Sequence, residues 1–134
     1  MNTTYFLNLI MGNLFHCDED PSIPAQYYVG LSATKPTIDG ICTGEPLTGT
    51  TGYKRVLLSN LSQPQNGVIT NTVGIDFDES LTSWGTVYYY VVYDAAIDGN
   101  LLFFGELSSP ITVDANTIMT IKSGDLSLTL SNPA

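Results

Sequence analysis

Thr86-Val87-Tyr88-Tyr89-Tyr90-Val91-Val92-Tyr93, followed by Leu101-Leu102-Phe103-Phe104-Gly105-Glu106-Leu107, is the stretch that decides the fold. Both halves are short apolar runs or period-two alternations, the patterns of strands and not of helices. Between them Asp98-Gly99-Asn100 is a strong hairpin signal, because Asp and Gly accept the left-handed backbone that a tight two-strand turn demands. On period two, Tyr88 and Tyr90 share one face and Tyr89 shares the other with Val87 and Val91. A row of outward Tyr would supply apolar area plus a hydroxyl, suited to a subunit interface or a carbohydrate, or equally to cross-strand support inside the fold.

The strand pattern extends in both directions. Residues 26–32, 53–59, 68–71 and 73–77 read as strands before the hairpin, and 111–113, 117–121 and 126–130 after it. Ser123-Gly124-Asp125 is a second hairpin signal. About eight short strands at close intervals predict an all-β fold, an antiparallel β-sandwich or jelly-roll-like domain. Residues 35–51 form a long loop holding Pro36, Gly40, Gly44, Pro46 and Gly49. A loop of that length in a compact domain is either functional or packed against a neighbour. Trp84, next to Gly85, is placed to anchor one end of the sandwich.

Only the N-terminus departs from this pattern. Phe6, Leu7, Ile10, Met11, Leu14 and Phe15 recur at spacings of three and four, which predicts one apolar stripe on a short helix over 3–15. Thr3 or Thr4 supplies an N-cap, and Asn13, the run Asp18-Glu19-Asp20 and Pro21 close it. So short a helix is not stable alone, so the stripe must be buried against the sandwich or another subunit. The expected organisation is a helix and arm over 1–24, acting as a docking element, and a single sandwich over 25–134.

The totals exclude several functions. With 13 acidic residues against 4 basic ones, the net charge is -9. Nucleic-acid binding needs clustered Lys and Arg, and an anionic membrane surface repels such a chain. No stretch approaches the roughly 20 apolar residues of a membrane helix. Residues 5–15 lack the basic flank of a secretion signal and are interrupted by Asn8, Gly12 and Asn13. Charged residues make up only 13% of the chain, so the surface is polar but largely uncharged.

Catalytic constellations are sparse. His16 is the single histidine; it adjoins Cys17 on a helix end, where neighbouring side chains diverge, and reads as a cap or surface residue. Asp76 and Asp78 would share a strand face with Glu79 at its end. This is a weak Ca²⁺ candidate and the only local carboxylate pair for a glycosidase, but more often such a pair is a solvated face. Asp18-Glu19-Asp20 is weaker still. Cys17 and Cys42 cannot form a tetrahedral metal site alone, and read as free thiols or as a disulfide from helix exit to loop. Gly49 and Gly52 lack phosphate-loop spacing. No catalytic residue, cofactor or metal is expected.

The ordered set Tyr28-Val29-Gly30-Leu31-Ser32, Gly52-Tyr53-Lys54-Arg55-Val56, Ser83-Trp84-Gly85-Thr86-Val87, Asp94-Ala95-Ala96, Gly99-Asn100-Leu101-Leu102-Phe103-Phe104-Gly105 and Gly124-Asp125-Leu126-Ser127-Leu128-Thr129-Leu130 resembles a family of tailed-phage virion proteins labelled tail fibre or particle-surface proteins. The resemblance implies a structural, non-enzymatic β-sandwich at the virion surface. The chain lacks heptads and collagen-like repeats for a fibre shaft, so the first expectation is a capsid decoration or cement protein. The alternative is a tail fibre, baseplate or receptor-contacting module. Expected partners are the major capsid protein, or tail proteins in the alternative, together with further copies of the chain, for which a trimer is one candidate. Expected interface residues are Phe6, Leu7, Ile10, Met11, Leu14, Phe15, Ile38, Ile41, Tyr88 and Tyr90.

Overall fold

The computed structural model describes residues 1–16 and 22–132. Helix α1 spans Thr4–Leu14. Eight strands follow among the described residues: β1 (Tyr28–Ser32), β2 (Val56–Leu57), β3 (Val68–Thr70), β4 (Ile75–Asp76), β5 (Gly85–Tyr93), β6 (Leu101–Val113), β7 (Thr120–Ile121) and β8 (Ser127–Thr129). The named strands pair antiparallel, in one four-stranded sheet ordered β2-β1-β5-β6 and two ribbons, β3-β8 and β4-β7. The fold is the expected all-β, sandwich-like arrangement with a short N-terminal helix. Ile75, Ile121 and Leu128 of the ribbons pack in one apolar cluster with Val29, Leu31, Val87 and Val92 of the sheet.

The solid apolar runs of β5 and β6 have a physical cause: both faces of the sheet are covered. Val92 pairs with Phe103 toward the ribbons, while Val91 pairs with Phe104 on the opposite face. On that second face Val91, Tyr93, Leu101 and Phe104 are covered by Ile38 and Cys42 of the 35–51 loop. The long loop therefore packs on the chain's own sheet.

Three expectations about strands change. Residues 101–107 and 111–113 belong to one strand, β6. Its pairing jumps from Val87–Ile111 to Tyr89–Glu106, so residues 107–110 bulge opposite Tyr88 alone. Pro110, which has no N–H to donate, is tolerated there. The same bulge breaks the alternation expected of the Tyr row: Tyr88 is exposed, whereas Tyr90 is buried in the ribbon-side core. Around Ser123-Gly124-Asp125 a tight turn does form, with the Asp125 N–H donating to Lys122 O at 3.0 Å. It is a corner and not a hairpin, because β7 pairs with β4 while β8 pairs with β3. The other turn signal joins β5 to its partner β6 as expected, with positive φ at Asp98 (55°) and Gly99 (77°).

The helix is tied to the sheet at its start. The Thr3 hydroxyl accepts the Phe6 N–H at 3.3 Å as an N-cap and donates to Leu101 O at 2.7 Å. The Thr3 N–H donates to Leu102 O, and Asn2 bridges to Phe103. Residues 1–3 thus cover part of the outer edge of β6, the kind of exposed edge that otherwise invites pairing with another chain. At the far end the Phe15 N–H caps Met11 O, and His16 turns the chain out of the helix at φ 55°.

Candidate interface: the apolar cleft and the open edge of the helix

Helix α1 has more apolar surface than the sandwich covers. At 100° per residue, Phe6, Leu9 and Gly12 follow one another at about 60° steps on one side of the helix and are buried. The Phe6 ring meets Phe103 edge-on, with centroids 4.8 Å apart. Leu7, Met11, Leu14 and Phe15 lie on a neighbouring strip. Leu7 is half-buried, while Met11 is 49%, Leu14 61% and Phe15 69% exposed. Of the six residues in the expected stripe, only Phe6 is in the chain's own core, and Ile10 lies on the border.

That border opens on an apolar cleft of about 480 Å³. Phe6 and Ile10 form one wall, Tyr27 and Leu58 flank the main sheet, and Leu61, Ile69, Leu128 and Leu130 line the side of the β3-β8 ribbon. None of the described residues lining it carries a charge. At roughly 30 Å³ per water the cleft is far larger than a hydration site, and its apolar walls give water few partners. The cleft lies between α1, the main sheet and the ribbon, and leaves the sandwich unsealed there. Nothing in the linear pattern signalled the cleft, since its walls come from six separate segments of the chain.

The remaining expected contact residues are scattered. Ile38 is half-buried on the second face of the sheet, with Ile41 exposed nearby in the same loop. Tyr88 is exposed at the bulge. Tyr90 lies inside the chain, its hydroxyl donating to Ser127 O at 2.7 Å and accepting the Ser127 N–H at 3.1 Å. Burial pushes its phenol above the usual tyrosine range, and Asp125 adds to this, while the bond with Ser127 opposes it. Gly105 faces this ring in the pairing, and a Cβ there would come within 2.2 Å of the Tyr90 oxygen.

A polar cluster that the sequence did not reveal fastens the long loop. Arg55 forks onto Glu45 at 2.8 and 2.9 Å and donates to Ala95 O and Asp98 O. The Tyr53 hydroxyl donates to the same carboxylate at 2.5 Å and accepts the Leu31 N–H at 3.0 Å. Burial on its own would lower the Arg55 pKa, but the hydrogen bonds and charge of Glu45 hold it above the guanidinium value. Tyr53 and Tyr93 are both pushed up, chiefly by burial, with Glu45 adding to the first and Cys42 to the second. A Cβ at Gly30 would lie 2.5 Å from the Tyr53 oxygen and 2.8 Å from Glu45, so the cluster needs glycine beneath it. Every member has a partner inside the chain, which makes this a fastening and leaves no group free for chemistry.

The other candidates have structural settings. Asp76 accepts from the Thr120 hydroxyl, and Asp78 pairs with Lys54 at 3.0 Å on the open surface. No group of three or more His, Cys, Asp and Glu side chains comes together among the described residues. Trp84 anchors its end of the sandwich as expected, edge-on to Tyr53 and Phe77, with its indole N–H donating to Thr51 O at 2.9 Å. The Asp18-Glu19-Asp20 run and any pairing of Cys17 lie outside the described residues.

Fold and surface together describe a structural protein that works by contact, with a sealed polar cluster and an unsealed apolar cleft. Residues 2–129 match the family described as Podophage GP4 fiber I protein gp80, and the chain belongs to that family. No curated protein matches it. It is a non-enzymatic structural component of a phage virion, situated at the particle surface and related to fibres. The match to a fibre family favours the tail-fibre alternative over the capsid-decoration reading expected first.

Proposed function

We propose that this chain is a building block of a phage tail fibre, bound to further copies of itself and to adjoining tail proteins. The family match over residues 2–129 carries this reading. The surface supports it, because a chain of net charge -9 presents an uncharged apolar helix edge and cleft, the kind of patch that marks a protein contact. In this reading residues 1–24 are the docking element, with Leu7, Met11, Leu14 and Phe15 outermost, and 25–134 are the body. Ile38, Ile41 and Tyr88 belong to secondary contacts with neighbours in the fibre. The test is mass spectrometry of purified particles after heads and tails are separated. The chain is expected with the tails; recovery with heads alone overturns the proposal and restores the cement role.

A further inference from the structure

We infer that the occupant of the apolar cleft is the helix edge of a second copy of this chain, so that Met11, Leu14 and Phe15 of one copy enter the cleft of the other. This rests on the self-associating fibre reading above and names the surface that it uses.

Charge restricts the occupant. A protein of net charge -9 repels its own copies wherever carboxylates face each other. The segment Thr4–Leu14 has no charged residue, and neither do the described cleft walls, so the helix edge and the cleft themselves bring no carboxylates face to face. The same lack of carboxylates gives a basic partner nothing to pair with. The seat therefore suits an uncharged apolar segment, and α1 is one.

Shape and position agree. Met11, Leu14 and Phe15, at spacings of three and four, are the anchors of a helix laid in a groove. Ile10 both lines the cleft and adjoins them on the helix, so donor edge and receiving cleft are side by side on one face. A two-fold axis through that face makes the contact reciprocal. With both sets of anchors and both clefts covered, the area removed from water is on the order of 1,000 Å², the lower bound for a specific interface.

The experiment is sedimentation velocity on the purified full chain across a concentration series. Two double variants accompany it, Leu14→Asp with Phe15→Asp on the helix edge, and Leu61→Lys with Leu130→Lys on the cleft rim. All four side chains are exposed, and far-UV circular dichroism checks that each variant folds. The wild type is expected to self-associate, and each variant to do so about thirtyfold or more weakly. An equimolar mixture of the two variants retains one intact edge and one intact cleft, and is expected to form a mixed dimer that neither variant forms with itself. A monomeric wild type, undiminished association of either variant, or a mixture that stays monomeric overturns the inference. These results are independent of whether the chain sediments with heads or tails, so they separate this inference from the fibre assignment.

Discussion

The guanidinium of Arg55 lies 3.5 Å from the centroid of the Tyr93 ring. Arg55 follows the loop and Tyr93 ends β5, so this stack, with the fork onto Glu45, closes the 35–51 loop over the sheet. Its side chain is only 7% exposed. Removing one partner of a buried ion pair leaves the other desolvated and uncompensated, at a cost of about 3–5 kcal/mol. Arg55→Leu is therefore expected to lower urea stability by about that much. In a Cys17→Ser background it should also speed alkylation of Cys42, which the loop places against the sheet.

The surface pair of Lys54 with Asp78 provides the contrast. Both side chains are more than 60% exposed, and water and salt screen such pairs almost completely. Lys54→Ala is expected to shift stability by less than about 0.5 kcal/mol in the same urea titration.

Tyr90 and Gly105 fit one another across β5 and β6. Tyr90→Phe removes the hydroxyl that serves both backbone groups of Ser127, leaving an unmet donor and acceptor at a cost of about 1–3 kcal/mol. Amide exchange in β8 should quicken, since that bond ties the ribbon to the sheet. Gly105→Ala puts a methyl group into the ring, and is expected to cost about 1–3 kcal/mol by overpacking. Combining the two should be no worse than additive, because the phenylalanine removes the closest atom of the clash.

Alkali tests the buried phenols. Tyr53, Tyr90 and Tyr93 have folded-state pKa values raised above 10.0, the value of a free tyrosine. Below that pH both folded and unfolded states keep these protons and stability is undiminished. Above it the unfolded chain loses them first, so it binds fewer protons than the folded chain and stability falls as pH rises. Tyrosinate absorbance from these three residues is expected to appear in one steep step that coincides with loss of circular dichroism. Separate, gradual ionisation while the fold persists would contradict their buried setting.

The sequence by itself determined the fold class, the order of the strand-forming segments, a short N-terminal helix capped by a threonine, and the anchoring role of Trp84, because each depends on local spacing and turn chemistry; which threonine caps and how long each strand runs were decided by the pairing. The net charge of -9 also argued against nucleic-acid and anionic-membrane partners. Tertiary structure alone decided which apolar residues the chain keeps for itself. The stripe on α1 was legible as a stripe, but whether Phe6 or Phe15 is buried depends on how far the helix is rotated against β6, and no periodicity encodes that angle. Likewise a bulge around Pro110 put Tyr88 outside and Tyr90 inside, and a Gly/Pro-rich loop brought Glu45 onto Arg55. The cleft is walled by α1, the sheet and the β3-β8 ribbon together, a matter of partnership between distant segments that local pattern does not reach.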